Sequence, residues 1–134
     1  MLDQLSVRSA RSLLESLTDR RKRVLLRVGY DVSLPAKELV RFGLTDERKR
    51  LSSAVARKLI LEKLGIDPIE VFDASTSKAN YILIARTAGQ DLVVRIPVRR
   101  RRALFGYAWA CRQWEGAGVP VPRILLFNDH YLVE

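Results

Sequence analysis

The chain has 134 residues, 48% hydrophobic and 29% charged, and its 24 basic and 15 acidic residues give a net charge of +9. That length and apolar content suit one modest domain, or a small domain with an extension, and the sparse glycine and proline exclude wholesale disorder. A single cysteine excludes an internal disulfide and a cysteine-based zinc site. No apolar run approaches the roughly 20 residues of a bilayer span. Asp3, Arg8, Arg11 and Glu15 interrupt any signal-peptide core, so a soluble, cytoplasmic protein with no membrane partner is expected.

Leu2, Leu5, Leu13, Leu14, Leu17, Val24, Leu25 and Val28 recur at spacings of three, four and seven. That pattern predicts helix over 2–28, interrupted near Thr18 and Asp19. Either of those two caps a second helix over 20–27, which Gly29 ends. Leu34 and Pro35 open a short helix through Phe42, with Pro35 at its first position and Gly43 as its stop. Thr45 then supplies a capping oxygen, and Asp46 and Glu47 sit at the positive end of the next helix dipole. The stripe Leu51, Val55, Leu59, Ile60 and Leu64 follows, closed by Gly65.

From Ile66 the period changes. Ile69–Phe72 predicts a short strand, and Asp73–Lys78 a small polar loop. Asn80–Arg86 predicts a strand apolar on both faces, as in the middle of a covered sheet. Thr87–Asp91 turns the chain, with Gly89 available for positive φ, and Leu92–Ile96 returns as the partner strand, ended by Pro97. Over Arg99–Glu115, Leu104, Tyr107 or Ala108, Cys111 and Trp114 fall at helical spacing, and Gly116 and Gly118 terminate the helix. Val119–Pro122 is rigid and extended, and Arg123–Phe127 with Tyr131–Glu134 form a hairpin around Asn128-Asp129. The fold class is therefore α+β. A helical region, 1–65, precedes a small, mainly antiparallel sheet with one crossing helix, 66–134. Cys111 is expected as a small buried side chain, and His130, with no nucleophile or metal ligand nearby, as a structural or solvent-facing residue.

A polar loop between paired strands can fold backbone N–H groups over phosphates, and a basic side chain on the third strand can neutralise them. Here the loop is Asp73–Lys78 and the strand base is Arg95. Val93, two residues earlier on the same face, would roof a nucleobase. Residues 69–134 resemble the N-terminal lobe of the aminoglycoside phosphotransferase-like kinases, within the protein-kinase-like fold. The likeness rests on Asn80-Tyr81-Ile82-Leu83, Leu92-Val93-Val94-Arg95-Ile96-Pro97, Ala117-Gly118-Val119-Pro120-Val121-Pro122-Arg123 and Tyr131-Leu132-Val133-Glu134.

By that resemblance Ser75, Thr76 and Ser77 match the phosphate-covering loop and Arg95 the base on the α- and β-phosphates. Leu132 to Glu134 match the edge leading into the hinge beside adenine. ATP with magnesium is the implied cofactor, its metal ligands belonging to a second lobe outside this sequence. The phosphate loop carries no glycine. No acidic residue follows Arg95 in the helix until Glu115; Gly106 and Tyr107 stand where the family has a pairing carboxylate. An Arg95–carboxylate pair of the usual kind is therefore expected to be absent. With no His-x-Asp…Asn sequence among its residues, the chain is expected to be a truncated lobe, inactive in phosphoryl transfer on its own and offering no catalytic residue.

Alternatively, the basic runs Arg20–Arg23, Arg48–Arg50 and Arg99–Arg102 point to a non-enzymatic module that binds nucleic acid or another polyanion. The helical region is also a candidate protein-interaction surface. The sheet underside around Val93, Leu132 and Val133 is expected to stand open for a missing lobe or for self-association.

Overall fold

A computed structural model describes residues 20–35, 37–38, 41, 48–74, 80–98 and 102–134. Three helices are described, α1 (Arg20–Asp31), α2 (Arg48–Leu64) and α3 (Arg102–Gly116). The strands are β1 (Glu70–Asp73), β2 (Asn80–Arg86), β3 (Asp91–Pro97), β4 (Leu126–Phe127) and β5 (Leu132–Val133). They form one antiparallel sheet in the order β1-β2-β3-β5-β4. The α+β class and the mainly antiparallel sheet expected from the sequence are thus present. The proposed helix over 2–17, the Thr45 cap and most of the short helix after Pro35 lie outside the described residues.

Helix α1 does not stop at Gly29. One interior glycine costs a helix only about 1 kcal/mol, and burial of Leu25, Leu26, Val28 and Val32 around it offsets that cost. The stop comes later, at Ser33, which adopts a left-handed φ of 60°. The Leu34 N–H donates to Gly29 O at 2.9 Å and the Ser33 N–H to Tyr30 O at 3.2 Å, which is a Schellman closure. Helix α3 ends the same way, with Gly118 at φ +80° and Val119 N–H donating to Trp114 O. Gly65, at φ +68°, closes α2 as its sequence position predicts.

Alternation along the strands sorts the sheet into two faces. One carries Leu83, Ala85, Leu92, Val94, Ile96 and Val133, all buried against Leu25, Val28, Leu51, Val55, Leu59 and Ile60 of α1 and α2. The helices and the sheet therefore share one core across residue 65. The opposite face carries Phe72, Ile82, Ile84, Val93 and Arg95, all only half-buried. So β2 is fully covered on one side and not, as its composition suggested, on both.

Helix α3 covers the β4–β5 end of that second face. Leu104 and Ala108 enclose Leu132, with Tyr107, Ile124 and Phe127 around them, and Phe105 meets Phe127 edge-on at 5.2 Å. Cys111 is buried and free, as expected. Trp114 is not: it is 58% exposed, because ten residues beyond Leu104 it lies roughly a quarter-turn off the buried stripe. Leu132 and Val133 are both fully buried, and on opposite faces. The open apolar underside is therefore not the patch around Val93, Leu132 and Val133; it is the strip of Phe72, Ile82, Ile84 and Val93.

One turn differs from expectation. Gly89 does not use positive φ; the β2–β3 turn is closed instead by the Thr87 hydroxyl, which donates to Gln90 O and accepts from Gln90 N–H. Pro97 is the last residue of β3, paired with Asn80. In the final hairpin Asn128 Oδ1 accepts from the backbone N–H groups of His130 and Tyr131.

Because Ser33 occupies a left-handed position that Gly118 fills in the equivalent closure of α3, Ser33→Gly should stabilise the fold by about 1 kcal/mol. A higher urea midpoint with unchanged slope is the expected reading, and Ser33→Ala should give no such gain.

Candidate functional site

Arg95 sits on β3 opposite Leu132 of β5 and Ile82 of β2, on the half-open face. The chain then places a carboxylate beside it. Val93 and Glu134 exchange both backbone hydrogen bonds, at 2.7 and 2.9 Å, which extends the β3–β5 ladder by one pair. In that register Glu134 is the diagonal neighbour of Arg95 on one face, within reach of a long side chain. Arg95 Nε and Nη2 both lie 3.0 Å from Glu134 Oε1.

Tyr107 of α3 completes the arrangement. Its hydroxyl donates to Glu134 Oε2 at 2.5 Å, and its ring lies under the guanidinium, 4.7 Å from Cζ to the ring centre. The Glu134 side chain is 3% exposed and that of Arg95 26%. A buried carboxylate is tolerable here because both oxygens are engaged, one by a charge-assisted fork and one by a phenol. Cation–π attraction holds the guanidinium from its other side. Burial pushes the Tyr107 phenol well above its ordinary range, reinforced by the hydrogen bond to Glu134 and by its negative charge; Arg95 opposes the shift.

Arg95 therefore has a carboxylate partner, where none of the usual kind was expected. It comes from the strand 39 residues further on rather than from the helix, and the helix contributes Tyr107 from the position where the resembled family has its acid. The missing signal was the β3–β5 pairing: once Val93 faces Glu134, the parity of the strands brings Arg95 and Glu134 together.

The other candidates are placed differently. Val93 and Glu134 share a cleft of about 310 Å³ with Gln90, Asp91, Pro122 and Arg123. Leu132 is a core residue on a strand paired on both sides, so it offers a ligand neither side chain nor free backbone. The backbone of Glu134 is likewise engaged by Val93. Ser75, Thr76 and Ser77 lie outside the described residues. Among the described residues no group of three or more His, Cys, Asp or Glu side chains could hold a metal ion, and no helix is long and apolar enough to cross a membrane. Comparison with known protein families, characterised proteins and solved structures finds no match.

The raised Tyr107 phenol makes stability depend on alkaline pH. Its stabilising contribution is complete below the unfolded value, about 10, and is lost as pH rises through the higher folded value. Wild type should therefore lose stability above about pH 10 more steeply than Tyr107→Phe. Denaturant titrations of the two proteins across that range check the sign, and parallel curves would contradict the arrangement.

Proposed function

We propose that the sheet and α3 form a nucleotide-binding lobe of the aminoglycoside phosphotransferase-like kind, taking ATP with magnesium. One observation carries the reading. Arg95 is a carboxylate-oriented cation on the half-open sheet face, beside the apolar strip of Ile82, Ile84 and Val93. An adenine ring could lie against such a strip, while a fixed guanidinium meets the phosphates. The fork to Glu134 engages two of the five guanidinium N–H groups, so others remain for a phosphate oxygen.

In this reading Glu134 does the orienting that the resembled family assigns to a helix carboxylate. Tyr107 fixes Glu134 in turn, through a hydrogen bond rather than through charge. Ser75, Thr76 and Ser77 would close over the phosphates. Because the backbone of Leu132 and Glu134 is engaged in ladders, purine recognition would rest on stacking against the strip rather than on hinge hydrogen bonds from these two residues. No residue here is assigned a catalytic step: magnesium coordination and acceptor recognition belong, in this reading, to a second lobe. The compartment implied is the cytoplasm.

Calorimetric titration with ATP, with and without magnesium, tests the proposal on wild type, Arg95→Ala and Arg95→Ala/Glu134→Gln. The double variant leaves no lone buried carboxylate, and so separates loss of binding from loss of folding. Wild type should bind, and both variants should bind at least about tenfold more weakly, the usual loss for one charged hydrogen-bonding group. No binding by wild type would overturn the reading. Salt-sensitive association with generic nucleic acid, in place of ATP binding, would favour the basic module instead.

A further inference from the structure

A second cationic feature shares no residue with the Arg95 site. Arg20, Arg23 and Arg27 recur at three- and four-residue spacing along α1, on one stripe with Val24 and Val28. Together with Pro97, Val98, Asp129 and His130 they enclose a cavity of about 390 Å³. Its floor is apolar, since Val28, Pro97 and Val98 are buried. Its walls hold the guanidinium groups of Arg23 and Arg27 against one carboxylate, with Arg20, which has an interaction of its own, beside them.

The state of Arg27 points to a ligand. Its Nε is buried and has no hydrogen-bond acceptor among the described residues. A buried charged donor without a partner is costly, and native structures rarely leave one so. Asp129 lines the same cavity yet forms no ion pair with Arg23 or Arg27 among the described residues. Among the described residues, acceptors are thus short for Arg23 and Arg27. Planar guanidinium forks suit oxyanions, and convergence of two on one enclosed space suits a compact dianion rather than an extended chain of phosphates.

We propose that this cavity between α1, the end of β3 and the β4–β5 turn is a binding site for a phosphate dianion, either free or as a small monoester. Arg27 and Arg23 hold the phosphoryl oxygens, and Val24, Val28 and Val98 accommodate the apolar part of an ester. Phosphate on a lipid headgroup presents the same chemistry, so the test separates the two sources.

Calorimetric titration of the full chain uses inorganic phosphate and glycerol 3-phosphate as probes. Saturable binding is expected, weakened about tenfold or more by Arg27→Gln and by Arg23→Gln. Asp129→Asn should tighten it severalfold, a direction that a folding defect cannot produce, and Arg86→Gln, at an exposed arginine that does not line the cavity, should leave it unchanged. Co-sedimentation with phosphatidate vesicles but not with phosphatidylcholine vesicles, abolished by the same arginine substitutions, would assign the phosphate to a lipid. Binding in solution without co-sedimentation would assign it to a soluble ester. Absence of saturable binding by wild type would overturn the proposal. So would binding confined to an RNA oligonucleotide, with steep salt dependence and no response to Arg27→Gln.

Discussion

The carboxylate of Glu134 is the constraint on which the half-open side of the sheet depends. It is almost wholly removed from water, and a lone buried carboxylate is not sustainable. Arg95 must therefore stay extended across β3 toward β5, and Tyr107 must hold its hydroxyl at the sheet. Helix α3 is positioned by this polar contact as well as by the apolar contacts of Leu104 and Ala108 with Leu132. Three elements distant in the sequence are tied by a polar connection whose members satisfy one another.

That arrangement also explains the asymmetry of the sheet. One face is sealed by α1 and α2 through aliphatic packing. On the other, α3 reaches only the β4–β5 end and leaves Phe72, Ile82, Ile84 and Val93 half-buried. The boundary between the covered and the open parts of this face falls at Arg95. An oriented cation therefore stands at the edge of a half-buried apolar strip.

Much of the fold was legible because local signals agreed with one another. β2 falls on the expected residues 80–86, and the Leu51–Ile60 stripe and Gly65 bound α2 as read. What was not legible depended on tertiary pairing. Gly29 looks like a helix stop until the burial around it is known, and Trp114 looks like core until the width of the α3 contact is known. The partner of Arg95 could not be found by searching the following helix for an acid. It is specified by strand order, through a register that places Val93 against Glu134. Leu132 was misplaced for a related reason: a short apolar strand reads alike whether it borders a cleft or lies beneath a helix.

The surplus of positive charge is unevenly held, and this distinguishes the arginines better than their number does. Arg86 lies between Glu70 and Asp91, at 3.5 and 3.9 Å, and Arg57 reaches Asp67 and the Pro68 carbonyl. These exposed pairs contribute little energy, but they leave little field for an external anion. Arg95 is matched by a single buried carboxylate, so its remaining attraction is directional rather than strong. Arg23 and Arg27 are the reverse case, weakly matched cations at an enclosed cavity with an unsatisfied donor. The net charge of +9 therefore does not describe a uniformly basic surface. Among these groups the demand for an external anion falls on α1, because that is where a buried guanidinium Nε, of Arg27, lacks an acceptor among the described residues.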